Sequence, residues 1–264
     1  MPRPLSRLLR SILRKDRGSI LFTGDYKSWE DAQKASTGYS APEILEKTRD
    51  AVMKVKKGAA EFERDSVAFD QAQYEFPLLA GLLRAATAAN GRLNVLDFGG
   101  SLGSTYFQSR KFLSTVNELH WSVVDQLPQV ACGRKDFADE QLHFYPTIAE
   151  CLSEQQPNVV LLSNVIQYLP KPYQFLEEII QLQLPFIIIE RVPFSCTGRD
   201  RLTVQHVPPS IYNASYPAWF LSEPTLRSVL ENKYDLICEY SAGEAFRLES
   251  EEISFKGLQY QLKS

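Results

Sequence analysis

Histidine and cysteine are scarce in this chain, three and four among 264 residues. Cys132, Cys151, Cys196 and Cys238 form no C-x-x-C pair, and none has a histidine at ligand spacing. That excludes the common zinc frameworks, and no metal is expected. The same spacing predicts reduced, mostly buried thiols in a cytoplasmic protein rather than a disulfide scaffold. Charge of one sign is lacking too. Lys and Arg number 29 against 32 Asp and Glu, a formal net charge of -3, which argues against bulk wrapping of nucleic acid. No apolar run approaches the roughly 18 residues of a membrane span. What is present is 44% hydrophobic and 11% aromatic residues, which excludes disorder. The length supplies a core for one domain or one and a half, at roughly 100–200 residues per domain.

The average hides a basic end. Residues 1–17 carry Arg3, Arg7, Arg10, Arg14, Lys15 and Arg17 against the single acid Asp16. Leu5, Leu8, Leu9, Ile12 and Leu13 recur at i, i+3, i+4, i+7 and i+8, a spacing that predicts a basic amphipathic helix over residues 1–18. Such a stripe fits an interfacial helix, with residues 3–17 in peripheral contact with the inner face of a membrane. It equally fits a terminal helix docked on its own domain, or a frayed end. Oligomeric state is not encoded in any feature of the sequence.

Two textures follow. Residues 19–91 read as a helical cap region. One helix starts at Ser40-Ala41-Pro42-Glu43, with an N-cap, an early proline and a glutamate three residues after the cap, and stops near Gly58. Another runs from about Tyr74 to Ala89, with Pro77 marking a kink or its first turn and Asn90-Gly91 ending it. From residue 92 to 264, short continuous apolar runs alternate with helical stretches. They are Leu93–Phe98, His120–Asp125, Leu142–Tyr145, Asn158–Ser163 and Phe186–Glu190. Continuous runs indicate strands buried on both faces, hence a parallel sheet flanked by helices. Tyr234–Tyr240 and Phe255–Leu262 read as an antiparallel pair at the sheet edge.

The first of these strands ends in Asp97-Phe98-Gly99-Gly100-Ser101-Leu102-Gly103. Glycines let backbone pass close to a ligand, and the following helix offers free N–H groups. The spacing is not G-x-G-x-x-G, because Ser101 stands two residues after Gly99, and no Gly-Lys-Ser/Thr follows. A dinucleotide fingerprint and a phosphate loop are both excluded. Asp97 repels a pyrophosphate and welcomes a cationic, amine-bearing ligand. Asp125 ends the next strand, where an acid takes the hydroxyls of a ribose. Read alone, Asp97 is a helix N-cap and Asp125 a turn residue. Together, at consecutive strand ends, they describe a nucleoside with a cationic amino-acid tail, S-adenosylmethionine.

Asp97–Gly103 resembles motif I of the class I S-adenosylmethionine-dependent methyltransferases, with Ser101 in place of that family's middle glycine. Val123-Val-Asp125 resembles their acidic second motif, and Val159–Leu169 their fourth-strand motif. The likeness spans about residues 92–264. It implies an α/β fold, a Rossmann-like seven-stranded mixed sheet with helices on both faces, here with an N-terminal helical cap. It also implies that Asp97, Gly99, Gly100, Ser101 and Gly103 line the methionine end and Asp125 the ribose. Tyr145 and Pro146 then lie near the adenine, and Ser163 and Asn164 flank the methionine and face the acceptor. Phe22–Trp29, Thr37-Gly-Tyr39, Glu63-Arg-Asp65, Ile189–Phe194 and Ala214–Trp219 are similar to a narrower family of bacterial methyltransferases associated with surface-polysaccharide gene clusters. That resemblance implies methylation of a small-molecule or saccharide hydroxyl in polysaccharide biosynthesis. The alternative is a non-catalytic methyltransferase-fold binding protein or a membrane-peripheral adaptor.

Methyl transfer to a hydroxyl needs alignment and a proton acceptor. His120 and His143 fall in strands. His206 falls in a polar loop, Arg199–His206, and is the candidate catalytic base. Tyr26, Trp29, Tyr39, Tyr212, Tyr216 and Trp219 form two aromatic stretches that either hold a sugar or pack helices onto the sheet. Glu190-Arg191 is either an internal ion pair or an acceptor contact.

Overall fold

The computed structural model describes residues 20–38, 42–71, 73–243 and 245–264. The basic stripe of residues 1–18, Tyr39 and the Ser40-Ala41 cap lie outside the described residues.

The chain opens with strand β1 (Leu21–Thr23) and helix α1 (Trp29–Lys34). Ser28 caps α1 by accepting the Asp31 N–H at 3.1 Å. Helix α2 (Pro42–Lys56) follows, and Gly58, at φ +72°, ends it. Strands β2 (Phe62–Arg64) and β3 (Val67–Phe69) form a hairpin. Its two-residue turn, Asp65-Ser66, takes positive φ at both positions, matching the strand twist. Helix α3 (Phe76–Ala88) has Pro77 in its first turn.

Strict alternation then begins: β4 (Arg92–Phe98), α4 (Ser104–Leu113), β5 (Glu118–Val124), α5 (Leu127–Asp136), β6 (Leu142–Tyr145), α6 (Ile148–Glu154) and β7 (Val159–Ser163). A single 3-10 turn (Ile166–Tyr168) leads to α7 (Pro172–Gln181) and the long strand β8 (Phe186–Ser195). Strands β9 (Arg201–Val207) and β10 (Ala214–Phe220), helix α8 (Glu223–Leu230) and strands β11 (Tyr234–Ser241), β12 (Phe246–Leu248) and β13 (Glu251–Leu262) complete the chain.

The main sheet has the order β11-β13-β8-β7-β4-β5-β6, with β12 paired onto β13. Strands β8, β7, β4, β5 and β6 run parallel, and β13 is antiparallel to both β8 and β11. Alternate residues of the continuous apolar runs enter two cores. Val95, Val123, Leu161 and Ile188 face one, with Val52, Leu82 and Trp121. Leu96, Val124, Leu162 and Ile189 face the other, with Leu176, Leu226 and Tyr234. The expected parallel strands and the antiparallel pair at the sheet edge are present in this sheet, with β12 as an additional strand paired onto β13.

Three expectations are corrected. Residues 19–91 are not wholly helical, since β1, β2 and β3 lie there. β1 pairs with β9, and β9 with β10, as a separate three-stranded sheet. Arg199–His206 is not a loop, because β9 occupies Arg201–Val207 with apolar Leu202 and Val204 between polar neighbours. Polar residues hid that strand, yet Thr203 and Gln205 are buried with partners of their own. Of the cysteines only Cys151 is buried, and Cys196 is exposed. The aromatic stretches pack: Trp29 and Trp219 stack at 6.3 Å, while Tyr212 and Tyr216 are buried. Among the described residues no helix is long and apolar enough to cross a membrane.

Strand β8 outruns β7 by several residues and passes the carboxyl edge of the parallel strands. Ser195 N–H donates to Leu221 O there, and Leu221 N–H to Pro193 O. The second sheet is thereby fixed beyond the edge where parallel α/β sheets bind ligands.

Candidate functional site

The carboxyl ends of β4, β5, β7 and β8 bring most of the expected residues together. Asp97 is 0% exposed. Its Oδ2 accepts the Trp121 indole N–H at 2.9 Å, while Oδ1 is buried with no hydrogen-bond partner. Burial pushes the Asp97 carboxyl up to about 7, and the Asp125 charge adds to the rise. Gly100 presses on this group. A Cβ there would lie 2.4 Å from Asp97 Oδ2, so only glycine leaves room.

The turn is built for close approach. Gly99 (φ +72°) donates its N–H to Val124 O at 2.8 Å, and a Cβ would strike Val165 at 2.4 Å. Ser101 takes φ +54°, the left-handed conformation that the resembled motif assigns to glycine. Its N–H donates to Asp125 Oδ2 at 2.9 Å. Gly103 (φ +85°) is the N-cap of α4 and has no side chain to cover the helix's free N–H groups. Asp125 also accepts the Gln126 N–H at 2.7 Å, and burial raises its carboxyl. Both carboxylate oxygens keep a free lone pair.

Asn164 also stands at positive φ (+54°), anchored by its N–H to Glu190 O at 2.8 Å. Its Oδ1 accepts from Gln167 Nε2 at 2.6 Å. Ser163, opposite Glu190 in the β7–β8 register, closes the row. Pro146 is half-buried beside Tyr145. The Tyr145 ring turns into the core under the sheet, with its hydroxyl donating to Glu154 at 3.1 Å, so only its backbone reaches the edge. His206 does not join this group. Its Nε2 lies 2.9 Å from Thr23 Oγ1, while the preceding residue, Gln205, meets Tyr168 and Tyr216 on the opposite strand face.

Three residues outside the expected cofactor and catalytic set are at this edge, Glu190 among them having been expected as an ion-pair partner or an acceptor contact. Leu127 is 71% exposed two positions after Asp125, an apolar wall without a covering group. Glu63, from β2, is buried, accepts the Ser104 hydroxyl at the start of α4 and the Ser66 N–H, and is pushed up to about 7 by burial. Glu190 is buried and also pushed up to about 7, chiefly by burial. The sequence signal for Leu127 was its proximity to Asp125; Glu63 stood only in a segment of the narrower resemblance, and no local spacing placed it here, because a hairpin brings it in. Among the described residues no cluster of three or more His, Cys, Asp or Glu is placed to hold a metal. A cavity of about 280 Å³ among Asp25, Thr197, Arg199, Arg201, Glu249 and Glu251 lies on the second sheet. Its arginines are already paired with acids, which makes it a structural junction.

No protein-family model and no curated protein sequence matches this chain. Among solved structures, the N-terminal domain of EvdMO1, determined in the presence of SAH and D-fucose, aligns with TM-score 0.50 at 12% identity over 85% of this chain and 98% of that one. Magnesium protoporphyrin IX methyltransferase from Synechocystis PCC 6803 aligns with TM-score 0.46 at 13% identity, covering 86% and 100%. N-methyltransferase NodS from Bradyrhizobium japonicum WM9 aligns with TM-score 0.43 at 12% identity, covering 80% and 98%. Sheet order, strand directions and the first of these likenesses give this chain the Rossmann-like fold of the class I methyltransferases.

Proposed function

We propose that this chain is an S-adenosylmethionine-dependent methyltransferase acting on a hydroxyl of a small molecule or saccharide, in polysaccharide biosynthesis. The observation that carries the cofactor is the orphaned Asp97 Oδ1, a buried acceptor at the glycine turn. Such an oxygen calls for a donor, and a cationic donor restores the ionised carboxylate that burial disfavours. The residues fit the group. Asp97 holds the ammonium of the methionine tail, and the turn from Gly99 to Gly103 lets the backbone approach it. Asp125 takes ribose hydroxyls, Leu127 and Pro146 flank the adenine, and Ser163 and Asn164 face the acceptor. S-adenosylmethionine supplies a methyl group on a cationic sulfur. The chain supplies alignment, exclusion of water and a proton acceptor.

The saccharide acceptor rests on the likeness of Phe22–Trp29 and Ala214–Trp219 to the polysaccharide-associated family. The D-fucose present with the EvdMO1 domain makes that sugar a reasonable first probe. Titration with S-adenosylmethionine by calorimetry tests the cofactor. Binding should be clear at micromolar to millimolar ligand, and none at millimolar ligand sinks the reading. Membrane contact through residues 3–17 is a separate proposal, decided by liposome co-sedimentation of the full chain and of a chain lacking them.

A further inference from the structure

Strand β8 becomes irregular where the site begins. Val192 pairs with Lys256 and Ile189 with Leu258, so Glu190 and Arg191 together oppose Gly257. This is a β-bulge, a device that re-aims a side chain, and Arg191 takes φ +58° within it. Gly257 pairs on its other side with Tyr240, and a Cβ there would lie 2.3 Å from the Tyr240 ring. The missing side chain lets Tyr240 cross β13 and donate its hydroxyl to Glu190 Oε2.

Glu190 is 1% exposed, and its Oε1 is buried without a hydrogen-bond partner. It shares a sheet face with Asp97 and Ser163, and Ser163 is its register partner on β7. Bulge, glycine and tyrosine together give up ladder pairing and place one carboxyl oxygen at the acceptor side of the strand ends. The charged groups around it pair off. Arg64 of the hairpin meets Glu75 ahead of α3 at 2.6 Å, and Arg191 meets Asp65 of the hairpin turn at 3.8 Å. Among the described residues these charged groups face one another rather than standing unpaired beside Glu190.

We propose that Glu190 Oε1 binds the hydroxyl of an uncharged acceptor and takes its proton during methyl transfer. This rests on the methyltransferase reading. An oxygen lone pair of the acceptor forms the bond to the methyl carbon as the methyl–sulfur bond breaks. Sulfur keeps that electron pair and becomes a neutral thioether, and the hydroxyl proton passes to Glu190. Burial keeps this carboxyl near 7, where a general base is most effective.

The test uses the full chain loaded with S-adenosylhomocysteine. Saturation-transfer NMR reads the binding of uncharged hexoses and deoxyhexoses, with their 1-phosphates and 2-amino counterparts as charged arms. Labelled methyl transfer from S-adenosylmethionine is followed from about pH 5.5 to about pH 9. Uncharged sugars should bind in preference to both charged arms. Glu190→Gln should keep S-adenosylhomocysteine affinity, weaken sugar binding about tenfold and cut transfer about 100-fold, with loss of the rate limb near neutral pH. Tyr240→Phe should displace that limb, and thermal unfolding confirms that each variant is folded. If Glu190→Gln does not fold, an undisplaced limb in Tyr240→Phe overturns the inference. So does failure of every uncharged sugar to bind, preference for a charged arm, or a Glu190→Gln variant with the parental rate and pH profile. Failure of the parent protein to bind S-adenosylmethionine overturns the methyltransferase reading instead.

Discussion

Trp121 on β5 donates its indole N–H across the sheet to Asp97 on β4, at 2.9 Å and in full burial. Among the described residues it is the one hydrogen bond to that carboxyl, and it opposes the burial that raises the group to about 7. An acid with a raised folded value binds its proton more tightly folded than unfolded. Its favourable contribution is complete below 3.8, the unfolded value, and is lost as pH rises towards about 7. The ceiling is about 1.4 kcal/mol per pH unit for one group. Asp97→Asn should therefore gain stability relative to the parent at pH 8 and gain little at pH 4. Denaturant titrations at the two pH values measure the difference, and an equal gain at both would refute the protonated Asp97.

Cofactor binding should release a proton. A cation against Asp97 lowers its carboxyl back towards the ionised range, so affinity should rise with pH up to about 7 and level beyond it. Up to about tenfold per pH unit is expected for one proton. Calorimetry at pH 6 in two buffers of different ionisation enthalpy gives the proton count. The parent should release more than Asp97→Asn, and identical counts would remove Asp97 from the linkage.

Gly100→Ala separates space from backbone strain. Gly100 is not among the positive-φ residues, so its cost is the 2.4 Å approach of a Cβ to Asp97 Oδ2. Overpacking of this kind costs about 1–3 kcal/mol. The variant should lose that much by chemical denaturation and bind S-adenosylmethionine at least about tenfold more weakly. Unchanged affinity would mean that the carboxylate is not where the ligand's ammonium docks.

The main sheet was legible because its strands are buried on both faces and read as continuous apolar runs. Val159–Ser163 and Leu142–Tyr145 are bounded almost to the residue for that reason. The second sheet was not legible. In β9, Arg201, Thr203 and Gln205 are buried, but their partners (Glu251, the Ala218 carbonyl, Tyr168 and Tyr216) come from strands or turns distant in the chain. No local pattern can announce a polar residue whose burial is satisfied at long range. Asp97 and Asp125 were visible as acids at strand ends. Glu190 was visible as an ion-pair or acceptor-contact candidate, but the bulge opposite Gly257 that re-aims it is a property of register rather than of composition.

Arg201 and Glu251 are each about one-twentieth exposed and meet at 3.1 Å. Arg201 also donates to the Gly24 carbonyl, and Ser195 and Thr197 donate to Glu251. This cluster joins the second sheet to β8 and β13. Arg201→Met leaves a buried carboxylate without its charge partner and should cost about 3–5 kcal/mol. Adding Glu251→Gln should recover much of that loss in a double-mutant cycle read by denaturant unfolding.

His206 is the residue on which sequence and geometry point differently. Imidazole as a side-chain type suits a general base, but the His206 ring bonds Thr23 across the β1–β9 pair, on the strand face opposite Gln205. His206→Ala removes that bond and should cost about 0.5–1.5 kcal/mol, with β1 loosened and S-adenosylmethionine affinity held within about twofold. The decisive reading is the pH–rate profile on whichever sugar the Glu190 experiment identifies. If Glu190 accepts the proton, the limb near neutral pH persists in His206→Ala at its parental position. Loss of that limb, with a rate lower by about 100-fold, would instead put the imidazole at the acceptor.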